Sequence, residues 1–108
     1  MGCAGGVDAF LCPVTPTPAF AHNQAGDFMT RTIDVNGEAR SYIENTTWTG
    51  LIGVVGLPSA VPPVGRTPAG LPVGVQCVTP YLRDRDAVHL AGIVAELSGG
   101  GYEVPPGF

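Results

Sequence analysis

Few side chains in this sequence could act as a nucleophile or a base. His22 stands in a polar loop with no carboxylate at a helpful spacing, and His89 lies on the flank of a predicted helix, so both are expected to be structural or solvent-facing. Cys12 and Cys77 fall in apolar segments, where a thiol is usually a small buried hydrophobe. Ser59 lacks a glycine-flanked nucleophile elbow. These residues alone predict no catalytic group.

Cofactor and metal chemistry is not indicated either. The three cysteines have no paired spacing, which predicts neither a zinc site nor a disulfide framework. Asp84 and Asp86 are interpreted as charges at a helix start rather than as metal ligands. No glycine-rich phosphate loop precedes a helix. All five basic residues are arginines, and the sequence contains no lysine. We therefore expect no cofactor and no metal.

The composition of the chain limits which binding partners and which cellular compartment are expected. The chain has 108 residues, a size that fits one small domain or a piece of a larger one, and a net charge of −4, which gives no basic surface for nucleic acid or an anionic membrane. The unpaired cysteines and the lack of a secretion signal predict a cytoplasmic protein. Only 13% of the residues are charged and 44% are hydrophobic, which suggests that something else covers part of the surface.

Short periodic segments place these residues on a mixed set of elements. The apolar run 7–14 predicts a buried strand that leaves the sheet into a proline-rich loop. Asn36 and Gly37 lie between two alternating segments and predict a peripheral β-hairpin with a type I′ turn. The outward positions of this hairpin carry charges, which is typical of a solvated surface.

Two helices are predicted. Trp48, Leu51, Ile52 and Val55 recur at helical spacing after Asn45, and the glycine at position 56 ends that helix. Gly50 and Gly53 inside the first helix suggest close packing against another backbone. The second helix is predicted within DRDAVHLAGIVAELSGG, residues 84–100. It has an apolar stripe of Ala87, Leu90, Ala91, Val94 and Leu97 and is stopped by the glycines at 99–101.

The segment 56–80, GLPSAVPPVGRTPAGLPVGVQCVTP, contains Gly-Leu-Pro twice. Proline is tolerated where a strand begins, because few ladder hydrogen bonds are lost there, and glycine permits a tight turn. We therefore interpret the segment as two neighbouring strands, each entered through a Gly-Leu-Pro bend and joined by the turn over 65–70.

This segment closely resembles the carboxy-terminal signature of the amidase signature family, in which Gly-Leu-Pro-Ala-(Ile/Val)-(Ser/Thr)-Val-Pro-x-Gly precedes Gly-Leu-Pro-(Val/Ile)-Gly-(Val/Leu)-Gln. Upstream, DAFLCPVTPTPA is similar to the family's Asp-(Val/Ala)-Leu-Leu-Thr-Pro-Thr segment, with Cys12 where threonine is usual, and WTGLIGVVGLP resembles its Trp-Thr helix, with Gly53 where asparagine is usual. The resemblance runs from about Asp8 to the end.

The resemblance implies an α/β fold: a partial amidase-signature fold with mixed β-sheet strands, a β-hairpin and two covering helices, making residues 1–108 one carboxy-terminal segment of an amidase domain. Family members hydrolyse carboxylic amides with a serine, a second serine in a cis peptide and a lysine. Without a lysine this chain cannot complete that triad, so the expected function is a segment that is inactive alone.

By motif position, the resemblance implies that one wall of the substrate pocket includes Cys12, Thr15, Thr46 and Trp48. The implied partners are a small-molecule amide substrate and the missing amino-terminal amidase region, and the open sheet edge favours self-association. An alternative from a different class is a non-catalytic binding module whose proline-rich segments, such as residues 12–20, offer polyproline II surfaces to a partner. Trp48 also fits a plain core role.

Overall fold

The computed structural model describes residues 8–99 and 103–107. Val7, predicted to open the first strand, and the glycines at 100 and 101, predicted to help end the second helix, lie outside them. The described elements are β1 (Phe10–Cys12), β2 (Thr32–Val35), β3 (Glu38–Ser41), a 3₁₀ helix (Tyr42–Thr46), α1 (Thr47–Val55), β4 (Ser59–Ala60), β5 (Pro63–Arg66), β6 (Pro72–Gly74), β7 (Gln76–Val78) and α2 (Asp84–Leu97).

The central sheet has three strands in the order β1, β7, β4, and both pairings are antiparallel. Cys12 lies opposite Gln76, and Leu11 lies opposite Cys77. Two further antiparallel pairs, β2 with β3 and β5 with β6, complete the strands of the described part. The combination of strands and two helices confirms the α/β class, but every pairing among the described residues is antiparallel, so the predicted mixed sheet is not confirmed there.

The two helices lie on opposite faces of the central sheet. Cys12, Val78 and Ile52 of α1 form the buried core cluster, with Trp48 and Leu57 packed against it. Because side chains alternate along a strand, Cys77 points to the face opposite Cys12, and it is fully buried where α2 packs on β4 and β7. The result is a thin helix–sheet–helix arrangement.

Residues 56–80 form one bent ribbon that contributes to two sheets. Gly56, with φ 71°, leads into β4, and Gly70, with φ 88°, leads into β6. Near the bend, the Val75 amide donates to the Pro62 carbonyl at 3.3 Å. The two Gly-Leu-Pro bends and the neighbouring strands are therefore confirmed. The ribbon nevertheless divides into two ladders, because Pro62 has no N–H to donate where the chain bends.

The predicted hairpin is present and lies outside the central sheet. Asn36 and Gly37 have φ values of 55° and 85°, as a type I′ turn requires. Its return strand leads to Tyr42, whose ring meets Phe20 and Phe28 edge-on, with centroids 6.3 and 5.5 Å apart, and carries the Arg31 guanidinium 5.1 Å from its centroid. This small cluster holds the loop before β2 against the hairpin.

Both predicted helices are present, but their apolar stripes are less buried than their spacing suggests. In α1 only Ile52 is buried and Trp48 half-buried, while Leu51 and Val55 are exposed. In α2 only Ala87 is buried, and Leu97 is exposed. The first strand is likewise buried only at Cys12, since Phe10 and Leu11 are about half exposed. The structure therefore corrects the predicted buried strand and much of both predicted stripes.

Candidate functional site

A polar cluster lies inside the central sheet, built around the Gln76 side chain. Gln76 is 3% exposed. Its Nε2 donates to the Cys12 Sγ at 3.3 Å and to the Pro13 carbonyl at 3.4 Å, and its Oε1 accepts from the Ser59 hydroxyl at 3.0 Å. One amide thus joins β1, β7 and β4, and it fixes the residue at which the chain leaves β1.

The two described cysteines are free thiols on opposite faces of this sheet. Burial raises the pKa of the Cys77 thiol, and the negative charge of a Cys12 thiolate would raise that pKa further. A thiol held protonated in this way is a poor nucleophile at neutral pH. Both cysteine side chains are buried, as the sequence predicts.

A groove begins where the chain leaves β1. It has a volume of about 370 Å³, and its lining residues are uncharged: Pro13–Ala19 on one side and Val61 with Pro72, Val73 and Gly74 on the other. The Thr17 Oγ1 is buried and has no hydrogen-bond partner within residues 8–99 and 103–107. The uncharged lining makes the groove suited to a neutral, largely apolar group.

Thr15 is the predicted pocket residue that lines this groove. Its hydroxyl donates to the Thr17 carbonyl at 2.7 Å, which shapes the lining segment. Cys12 directly precedes Pro13, the first lining residue, and is buried in the core cluster. The structure therefore places Thr15 on the surface of the groove and Cys12 in the core cluster.

The other two predicted pocket residues come from the start of α1. Trp48 packs against the core cluster to which Cys12 belongs. Thr46 is exposed at the junction between the 3₁₀ helix and α1, and its hydroxyl donates to the Ile43 carbonyl at 2.8 Å. Whether the four residues share one substrate pocket stays a prediction.

The described residues offer little catalytic chemistry of their own. The Ser59 hydroxyl donates to a neutral amide rather than to a base. His22 and His89 are exposed, and His89 borders a cavity of about 230 Å³ beside the Arg83–Asp86 ion pair. Within the described ranges no group of histidine, cysteine and acidic residues is arranged to hold a metal ion. In the same ranges, no helix has both the length and the apolarity needed to cross a membrane.

Gln76 is the residue whose importance the sequence reasoning missed. The sequence does contain a signal for this residue: Gln76 is a polar side chain in an otherwise apolar strand, between Val75 and Cys77. A buried amide in such a run needs hydrogen-bond partners from neighbouring strands. Which partners it finds depends on the register of β1, which the sequence pattern does not define.

A family model described as Amidase matches residues 3–88 of this chain. Similar curated proteins are glutamyl-tRNA(Gln) amidotransferase subunits. The one from Bartonella bacilliformis is 31% identical over 94 residues, which cover 87% of this chain and 17% of the relative. The one from Nitrobacter winogradskyi is 34% identical over 98 residues, 90% of this chain and 18% of the relative. The chain thus spans less than a fifth of the length of these relatives.

Proposed function

Because this chain belongs to the amidase family, we propose that it forms the carboxy-terminal segment of an enzyme that hydrolyses carboxylic amide C–N bonds. The observation that carries the proposal is the family match over residues 3–88 in a sequence with no lysine. A catalytic serine pair and its lysine would come from the rest of the enzyme. The 108 residues would supply scaffold and pocket wall, and they would be inactive alone.

The scaffold role is supported by the way that the chain builds its central sheet. β7 pairs with β1 on one side and β4 on the other, so β1 and β4 each have one edge without a partner among the described residues. An unpaired edge can accept another strand through its backbone N–H and C=O groups. These edges are suited to extension by strands of a larger amidase sheet.

The pocket role is supported by the groove beside Thr15. Its uncharged lining suits a neutral amide substrate with an apolar substituent. The hydroxyl of the exposed Thr15, which donates to the Thr17 carbonyl, could still accept a hydrogen bond from the N–H of the amide. In this proposal the groove wall positions the substrate and contributes no proton transfer. The names of the relatives refer to glutamyl-tRNA(Gln) and an amidotransferase, and we propose only the broader amide C–N class for this chain.

A complementation experiment tests this function. The Bartonella bacilliformis relative is produced without the segment that this chain matches, and the 108-residue chain is added or fused in its place. Ammonia release from simple carboxylic amides is then measured. We expect no hydrolysis from either part alone and hydrolysis from the combined parts, because only together do they hold both the catalytic groups and the pocket wall.

Two controls make the result interpretable. The same assembly with the catalytic lysine of the upstream part replaced by alanine should be inactive, which excludes a contaminating amidase. The relative with its own segment restored should be active, which shows that the upstream part is competent. If that restored protein is active and the hybrid is not, the proposed function is wrong.

The binding-module alternative is not proposed. The family match covers the proline-rich residues 13–18 as well as the ribbon that contains the two Gly-Leu-Pro bends. Both stretches are therefore accounted for by one family pattern, without a separate peptide-recognition role.

A further inference from the structure

One side of α1 is apolar and uncovered in the part of the chain that the structure describes. We define the outer face of α1 as Thr47, Gly50, Leu51 and Val54, which lie at helical spacing on the side away from Ile52. Val54 is 88% exposed and Leu51 is 56% exposed. An apolar face of this kind on a nine-residue helix is unusual for a surface that remains in water.

The composition of α1 differs sharply from that of α2. No residue of α1 is charged, whereas α2 carries four charged residues: Asp84, Arg85, Asp86 and Glu96. The polar side chains of α1 are two threonines, Thr47 and Thr49. A helix that is apolar over most of its surface is typical of a protein interior, whereas an amphipathic helix is typical of a surface. The two helices that cover this sheet therefore differ in their expected surroundings: α1 should be buried on both sides and α2 on one.

The glycines of α1 support the same interpretation. A side chain built at Gly50 or Gly53 would meet nothing within 4 Å, so no described contact requires glycine at either position. Glycine is nevertheless unfavourable inside a helix. Gly50, which belongs to the outer face, would be explained by the close approach of another backbone on that side of α1, and the sequence pattern also suggested such packing.

The size of the relatives indicates what lies there. The chain spans 17% of the length of the Bartonella bacilliformis relative, so most of a protein of that kind lies outside the segment matched here. Resting on the proposed function, we propose that the outer face of α1 docks against an apolar surface of the upstream part of an amidase domain. α1 is then an interior helix of the assembled enzyme, with the sheet on one side and the upstream part on the other.

Binding measurements test the docking face directly. The probe is the Bartonella bacilliformis relative lacking the segment matched by this chain, titrated with the 108-residue chain. We expect saturable binding that Val54→Asp weakens roughly a hundredfold, because a carboxylate would be buried without a partner. Val54→Thr keeps the shape of the side chain and should weaken binding about tenfold.

The matched control is Val88→Asp, the same substitution at an exposed position of α2. It should change the affinity less than about threefold, since α2 is expected to face water. Far-ultraviolet circular dichroism checks that each variant keeps the helix content of the wild type. If Val54→Asp does not fold, Val54→Thr decides the question alone.

Three outcomes would overturn the docking face: no saturable binding by the wild-type chain, equal weakening by Val54→Asp and Val88→Asp, or a loss of self-association in Val54→Asp with unchanged binding to the probe. The last would assign the face to a second copy of this chain. The complementation assay separates this inference from the proposed function. Hydrolysis unaffected by Val54→Asp overturns the docking face alone, whereas binding that depends on Val54 without any hydrolysis overturns the function alone.

Discussion

The side-chain amide of Gln76 donates to the thiol of Cys12 across the β1–β7 ladder, with Nε2 and Sγ 3.3 Å apart. The two residues are separated by 64 positions in the chain and lie directly opposite each other in the sheet. Their contact joins the strand that begins the described core to the strand that ends the bent ribbon. The groove lining begins one residue after Cys12, so the same contact fixes where that lining starts.

Replacing Gln76 by alanine should destabilise the chain strongly. The substitution removes the hydrogen bonds to Cys12, Pro13 and Ser59. Loss of one buried and two part-buried hydrogen bonds should lower the free energy of unfolding by about 2–3 kcal/mol, measured by urea denaturation. Gln24→Ala, at an exposed loop position, is the control and should stay within about 0.5 kcal/mol. Equal effects of the two variants would contradict a role for the Gln76 network.

Substitutions of Cys12 test what its sulfur contributes. Cys12→Thr retains an acceptor for the Gln76 amide and places there the residue that is usual in the family resemblance, so stability should change by less than about 1 kcal/mol. Cys12→Val has a similar volume without the acceptor, and it should cost about 1 kcal/mol more than Cys12→Thr. The comparison uses thermal unfolding at one pH. If Cys12→Val is more stable than Cys12→Thr, apolar packing at this position contributes more to stability than the hydrogen bond does.

The raised pKa of Cys77 should make stability depend on pH. The unfolded chain releases the thiol proton at a lower pH than the folded chain, so the folded state binds more protons in that range. The stabilisation is complete below about pH 8.5, the ordinary cysteine pKa, and is lost as the pH rises through the folded-state pKa. Between the unfolded-state and the folded-state pKa of this thiol, the urea midpoint should fall more steeply with rising pH in the wild type than in Cys77→Ala. Parallel slopes would contradict the assignment to Cys77.

Gly74 and Gly65 lie in the paired strands β6 and β5 and offer a matched pair of substitutions. A side chain at Gly74 would come 2.8 Å from Val61 Cγ1 and 3.1 Å from the Pro62 carbonyl oxygen, whereas one at Gly65 would meet nothing within 4 Å. Gly74→Ala should therefore lower the free energy of unfolding by about 1–3 kcal/mol, because the bend of the ribbon must open.

Gly65→Ala should leave stability unchanged or raise it by up to about 1 kcal/mol, since alanine restricts the unfolded chain more than glycine does. Both variants are compared by urea denaturation with the wild type. A Gly74→Ala variant as stable as Gly65→Ala would indicate that the bend at Val61 and Pro62 has room to relax.

Local features of the fold could be predicted from the sequence because their causes are local. Asn36-Gly37 permits the positive φ values of a type I′ turn, and Gly56 and Gly70 take the conformations that the Gly-Leu-Pro bends require. The helices were recognisable from spacing and from glycine stops. The family match confirms the resemblance carried by the same glycines and prolines.

Long-range features could not be predicted in this way. The division of residues 56–80 into two ladders follows from Pro62 at the bend, and the register of β1 places Gln76 against Cys12. The apolar stripes of both helices were interpreted as buried because spacing reports which residues share a face. The spacing does not report whether another element is present to pack against that face. Leu51 and Leu97 remain exposed in the described chain.

The bent ribbon also has a consequence for the order of folding. β5 pairs with β6 and β4 with β7, so the ribbon closes between residues that are close in the chain and can form with little loop entropy. β1 has no such advantage, because its Cys12 must find Gln76 at a separation of 64 residues. We expect β1 to join last, after the rate-limiting step of the refolding reaction. Mutations in β1 should then speed unfolding while leaving the refolding rate almost unchanged.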